Sequence, residues 1–281
     1  MHTIKLSIRP VINMLAVCTL FIVSCQKKFD VNSYKPAETF GGYSSSNQVQ
    51  TAALVAHFGF EGNLVDSVSN TAATNYGTTF SPGIKGQAMQ VGVGNYAIFT
   101  PTTAIRGLQS MTLAFWISTA ENTAGTQEMV DFVDSTQFWS NLDAYLDGQT
   151  ATGAVVKFHC FGSAGTQEAW LTSWNLTTSW STWTHFALTY DATSNTFAFY
   201  INGSLIGHTT QANFGSLNFA NFPAIVFGTS QFQTTPSLTS GATAQSWASY
   251  VLGLMDEVRI YNVALGASDI RALYQLETLG E

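Results

Sequence analysis

From Ala52 onward, apolar residues in this chain come in short alternating runs, and that pattern admits few folds. LVAHFGF (54–60), QAMQVG (87–92), NYAIFT (95–100), MTLAFWIS (111–118), VVKFHCF (155–161) and HFALTY (185–190) are separated by clusters of Gly, Asn, Ser and Thr. Alternation sends successive side chains to opposite faces, so each run reads as a strand. A helical period is lacking until SDIRALYQLE (268–277), where Ile270, Leu273 and Tyr274 share a face and Ser268 is placed to cap it. Short strands with no helices between them predict an all-β, two-sheet antiparallel sandwich with a short C-terminal helix. No internal repeat or second composition zone divides it, so one domain over 51–281 is expected.

One hairpin can be read to its register. In WTHFALTY (183–190), Trp183, His185, Ala187 and Thr189 point one way, and Thr184, Phe186, Leu188 and Tyr190 the other. Both sides are partly apolar, which predicts a central strand covered on both faces. After FAFYI, Asn202-Gly203 is the signature of a two-residue turn whose central residues need positive φ.

This hairpin, with AHFGFEGNLVDS (56–67) before it and GLMDEVRIYNVAL (253–265) after it, resembles the laminin G-like, concanavalin A-type jelly-roll domains of secreted bacterial proteins, over roughly residues 52–278. The resemblance implies a jelly roll whose first and last strands are neighbours. It also implies a structural calcium held by Glu61, Asn63, Asp66 and Asp256. Calcium takes six to eight oxygen ligands, and these side chains together with a Gly-bearing turn can supply oxygens. The alternative is that Asp66 caps its own turn and Asp256 bonds buried backbone amides. In the same string, Glu257 and Arg259 alternate onto one side as an ion pair, with Tyr261 beyond them.

The N-terminus reads as an address. Lys5 and Arg9 precede an apolar run, Val11–Val23, that is too short to span a bilayer, which takes about 20 residues. The run ends in Ile22-Val23-Ser24-Cys25, which resembles the lipobox of bacterial lipoproteins. Residues 1–24 are therefore expected to be a signal peptide, Cys25 a lipidated first residue, and 25–50 a flexible tether rich in Gly and Ser. That places the domain in the bacterial cell envelope, lipid-anchored to the outer membrane, with its folded part periplasmic or extracellular. Cys160 is then the one thiol left, a small core residue in an alternating run, so no intrachain disulfide is available. The chain's charged fraction is 10%, far under the usual value of about 25%, which leaves Ser, Thr, Asn and Gln to cover the surface. Its net charge of −7 excludes nucleic acid as an electrostatic partner.

For function, the aromatic residues carry most of the signal. Trp139, Trp170, Trp174, Trp180 and Trp247 lie in polar, loop-like contexts and are the candidate ligand-binding set, since sugar rings stack on indoles. Catalysis is less well supported. Glycoside hydrolysis needs two carboxyl groups about 5–9.5 Å apart. On a regular strand Glu128 and Asp134 would share a face roughly 20 Å apart while Asp131 faces away. Without a bulge these cannot flank one bond, and Asp143 and Asp147 read as solvated loop residues. No catalytic residue is assigned, and His57, His159, His185 and His208 are explained by packing in strand-like runs. The expected function is non-catalytic recognition of a glycan. A protein-binding or structural subunit of a surface complex, and a divergent glycoside hydrolase, are the alternatives. The sequence sets no oligomeric state.

Overall fold

A computed structural model describes residues 38–163, 166–177 and 180–281. The expected signal segment, Cys25 and the tether as far as 37 lie outside the described residues. The first strands in chain order are β1 (Leu54–Phe58), β2 (Val65–Asp66), β3 (Thr71–Ala72), β4 (Thr74–Tyr76), β5 (Thr79–Pro82) and β6 (Gln87–Val91). There follow β7 (Tyr96–Phe99), a one-turn helix α1 (Thr103–Arg106), β8 (Met111–Thr119), β9 (Thr126–Phe132), β10 (Leu142–Thr150) and β11 (Gly153–Gly162). The last are β12 (Gln167–Thr177), β13 (Thr184–Asp191), β14 (Thr196–Ile201), β15 (Ser204–Thr210), β16 (Ile225–Phe227), β17 (Ala248–Tyr250), β18 (Gly253–Tyr261) and helix α2 (Ala267–Thr278).

Apart from β2 and β3, which pair with each other, they form two eight-stranded sheets. The first runs β15-β14-β13-β8-β18-β6-β5, with β1 also paired to β18. The second runs β12-β11-β10-β9-β16-β7-β4, with β17 lying parallel to β9. The expected sandwich is present, and its first and last strands pair, His57 opposite Arg259. Between the sheets lies one apolar cluster that takes Leu113, Phe115, Phe186 and Leu188 from the first and Met129, Val156, Phe158 and Cys160 from the second. Cys160 is buried there as a core residue, as expected.

The hairpin follows its predicted register. Phe186, Leu188 and Tyr190 point into the core, while Ala187 joins a second apolar cluster on the outer face of the first sheet. Asn202 and Gly203 both take positive φ, 48° and 71°. Helix α2 supplies Ile270, Leu273 and Leu276 to the second cluster. It starts one residue before Ser268 and is capped by Gly266 without a side-chain bond, so Ser268 is not its cap.

The tether ends earlier than expected. The folded unit begins at Thr39. Residues Ser46–Gln48 form a 3-10 turn with Ser46 and Val49 buried. Ser46 Oγ donates to the Glu281 carbonyl at 2.6 Å and accepts from Arg259 Nη2 at 3.1 Å. The segment has no strand or helix period because side-chain bonds, not a ladder, hold it.

Candidate functional site

The outer face of the second sheet is where chemistry collects, and a bulge in β9 explains why. Ala144 pairs with Val130 but Tyr145 pairs with Glu128, so Met129 is an extra residue. Met129 and Val130 both point into the core. Glu128 and Asp131 are thereby turned out together, across from Tyr145 and Asp143 on β10. Bulges re-aim side chains in this way. The expectation that Asp131 faces away from Glu128 is therefore overturned, and Asp143 is a buried strand residue, not a solvated loop residue. Asp134 turns aside to cap its own turn, accepting from the Thr136 N–H at 2.8 Å. Asp147 is half-buried and paired with Lys157 at 2.5 Å.

One oxygen from each of Glu128, Asp131 and Asp143 lies within 4.8 Å of the others, and all three side chains are buried. Asp131 accepts from the Ser140 hydroxyl and from the Gln231 N–H at 2.7 Å. Asp143 Oδ2 meets His159 Nδ1 at 2.8 Å, and His159 Nε2 meets the exposed Glu168 at 2.9 Å. Glu128 Oε1 and Asp143 Oδ1 have no hydrogen-bond partner. Burial, followed by the nearby carboxylates, pushes Glu128 and Asp131 well above the usual carboxylate range.

Above this acidic floor stands an aromatic platform. Trp139, from the loop between β9 and β10, meets Trp170 of β12 edge to face at 5.1 Å and Trp247 at 5.7 Å. Trp170 lies over His159 at 4.2 Å, and Phe138 stacks on Phe232 at 4.7 Å. Trp170 and Trp247 are 42% and 41% exposed, far more than an indole buried for packing. Beside them opens a cleft of about 510 Å³ lined by Trp139, Tyr145, Trp247, Asn122, Asp147 and Gln149. Its polar wall is prearranged: Gln149 accepts from the Asn122 N–H at 2.8 Å and from Gln127 Nε2 at 2.7 Å, and Asn122 Nδ2 donates to the Tyr250 carbonyl at 2.9 Å.

Three of the five candidate tryptophans thus converge. Trp174 and Trp180 do not join them. A second bulge, in β12, pairs Phe158 with Leu171 but Val156 with Trp174. Trp174 is thereby turned inward, buried against Phe158 and Phe199, whereas Trp170 stays outside. Trp180 packs against the core and donates Nε1–H to the Thr150 carbonyl at 2.8 Å. Tyr145, Phe138 and Phe232, which were not among the candidates, also belong to the platform and its cleft. The adjacency of Phe138 to Trp139 was the one available signal, since nothing local reveals that Phe232 reaches the same place.

The implied calcium residues behave differently. Asp66 accepts four donors: the His57 and Val68 N–H groups on Oδ1, and the Ser69 N–H and hydroxyl on Oδ2. A carboxylate offers about four acceptor positions, so none is left for an ion. Asn63 caps its own turn, accepting from the Val65 N–H at 2.9 Å. Glu61 accepts from the Gln87 N–H at 2.9 Å, and Asp256 from the N–H groups of Ile84, Lys85 and Glu257. As a set the four do not fit a shared calcium. The clasp between chain start and chain end is instead the β1–β18 ladder, with His57 Nε2 and Glu257 Oε2 meeting across it at 2.9 Å.

Comparison with known proteins agrees with this architecture. Domain 4 of AbnA, a GH43 extracellular arabinanase from Geobacillus stearothermophilus solved in complex with arabinotriose, superposes with a TM-score of 0.56 at 21% identity, covering 79% of this chain and 98% of that one. The CBM40 of a Ruminococcus gnavus IT-sialidase, bound to α2,3-sialyllactose, gives 0.52 at 15% identity over 66% and 96%. The botulinum neurotoxin serotype D binding domain gives 0.58 at 12% identity, and this chain spans 53% of its length while 83% of this chain is covered. No curated protein sequence matches. A sequence profile of the concanavalin A-like lectin/glucanases superfamily matches residues 91–271. With that profile over most of the chain and two jelly-roll sheets beneath it, the chain belongs to the concanavalin A-like lectin/glucanases superfamily.

Proposed function

We propose that this chain is a non-catalytic carbohydrate-binding module of the bacterial cell envelope, and that it takes neutral glycans on the platform of Trp139, Trp170 and Trp247. The observation that carries the reading is the convergence of these three indoles beside one open cleft. Indole faces stack on the apolar C–H faces of sugar rings, and the cleft's Asp147 and threonines suit hydroxyl groups. Two structural neighbours were solved with oligosaccharides bound, one neutral and one acidic. Neutral sugars are favoured here because no Lys or Arg lines the cleft among the described residues, and the nearby Lys157 is engaged by Asp147. A lipid anchor at Cys25 would hold the module at the membrane.

Burial of the acidic floor supports the non-catalytic reading. Glu128, Asp131 and Asp143 are at most 4% exposed, beneath the loop that carries Trp139, so a glycosidic bond cannot be set between them. The test is a glycan array followed by calorimetry on the hits. Saturable binding of neutral oligosaccharides that is lost in Trp139→Ala is the expected result. Silence across neutral glycans, or binding untouched by Trp139→Ala and Trp247→Ala, would overturn the proposal. Release of reducing sugar would favour the hydrolase instead.

A further inference from the structure

The three carboxylates under the platform are a second site with its own chemistry. The bulge at Met129 turns Glu128 and Asp131 to the same side, and Asp143 faces Asp131 from the next strand. Ligands at 2.3–2.6 Å from one calcium ion can be at most about 5 Å apart. One oxygen from each of these three residues lies within 4.8 Å of the others, so a single ion can touch all three.

The hydrogen-bond inventory leaves room for it. Asp131 has two donors and Asp143 Oδ2 has His159 and the Ser140 N–H. Glu128 Oε1 and Asp143 Oδ1 have none, although both side chains are more than nine-tenths buried. The Ser230 hydroxyl, next in sequence to the Gln231 N–H that holds Asp131, is also buried without a partner. A bare buried acceptor is costly, so leaving Glu128 Oε1 and Asp143 Oδ1 without donors needs a compensating group. Among the described residues no Lys or Arg contacts the three, and His159 divides itself between Asp143 and Glu168. The donor set is all hard oxygen, which selects calcium- or magnesium-like ions over softer metals.

We infer that Glu128, Asp131 and Asp143 form a binding site for a divalent, oxygen-preferring cation, with calcium as the best-fitting member. The ion would meet Glu128 Oε1 and Asp143 Oδ1 and sit on the floor from which the platform rises. It would join β9 to β10 there and, through Asp143 and His159, brace the ring of Trp170. This site is separate from Glu61, Asn63, Asp66 and Asp256 and does not depend on glycan binding.

Trp139 and Trp170 make the test direct, because excited indoles transfer energy to terbium, which occupies calcium sites. The purified chain, stripped with EDTA, is titrated with terbium and then with calcium, and its melting temperature is followed in calcium and in magnesium. The expected result is saturable, tryptophan-sensitised emission displaced by calcium, together with a calcium-dependent rise in melting temperature. Glu128→Gln and Asp143→Asn should each weaken calcium at least tenfold. They should melt in EDTA no lower than the EDTA-treated wild type, since each removes a buried repulsion. That second readout separates loss of the site from loss of the fold. Absence of sensitised emission and of any calcium effect on melting would overturn the inference and leave the carboxyl groups neutralised by protons. A calcium effect unchanged in both variants would overturn it too, by placing the ion elsewhere.

Discussion

Trp139 and Trp170 come from elements separated by the whole of β10 and β11, yet their rings meet edge to face at 5.1 Å with an interplanar angle of 88°. The contact stands the edge of one indole against the face of the other. Trp139→Ala removes both a stacking surface and the brace of its neighbour. Glycan affinity should fall by tenfold or more, which corresponds to about 1.4 kcal/mol, as read by calorimetry. Trp174→Ala should act on another property. Its side chain fills the core against Phe158 and Phe199, so it should cost about 3–5 kcal/mol of stability in denaturant titration. The surviving folded protein should keep its glycan affinity.

The position of Trp247 depends on a residue with no side chain. A Cβ placed on Gly125 would stand 2.3 Å from the Trp247 carbonyl, inside any permissible contact. That carbonyl accepts the Thr126 N–H at 2.9 Å, the bond that leads β17 alongside β9. Gly125→Ala should therefore push Trp247 off the platform. Glycan binding should drop as far as in Trp247→Ala, while the melting temperature shifts by only a few degrees.

The clasp makes a prediction about stability without metal. Asp66 is buried and satisfies four donors from β1 and from Val68 and Ser69, so Asp66→Ala strands several amides. A loss of about 1–3 kcal/mol is expected. The gap between variant and wild type should be the same with and without EDTA. A gap that closes in chelator would assign calcium to Asp66 after all.

At the chain's other end, acid should weaken one buried group in particular. Burial alone would raise Glu257, but the hydrogen bond from His57 and the charge of Arg259 outweigh it and hold the carboxyl down, at about 2. A carboxyl lowered by folding contributes stability above its ordinary value of 4.5 and loses it as the pH falls toward about 2. In Glu257→Gln that contribution is absent. Denaturant unfolding across this window should show the wild type losing roughly 3 kcal/mol more than the variant, at about 1.4 kcal/mol per unit. Equal slopes would mean that Glu257 is not held ionised.

What could be read in advance was whatever rested on strict alternation. The β13–β14–β15 hairpins and the antiparallel sandwich follow from a period of two and from turn residues such as Asn202-Gly203, while the pairing of β1 with β18 was implied by the family resemblance of 56–67 and 253–265. What escaped was decided by single-residue departures from that period. Met129 is one extra residue, and it converts a carboxylate facing away into one of a converging trio. The extra residue in β12 splits Trp170 from Trp174, which regular alternation would place side by side. Bulges leave no compositional mark, because the inserted residue is an ordinary one and its cost is met by packing elsewhere in the sheet. The residues of the site were therefore visible as types, but their grouping required coordinates.

The burial of Ser46 against Glu281 and Arg259 has a further consequence. It fastens the entering chain, with helix α2, to the outer face of the first sheet, whereas the indoles stand on the outer face of the second. The first described residues thus join the fold on one broad side of the sandwich, and Trp139, Trp170 and Trp247 lie on the other. A ligand seated on the indoles would therefore leave the packing of Ser46, Arg259 and helix α2 untouched.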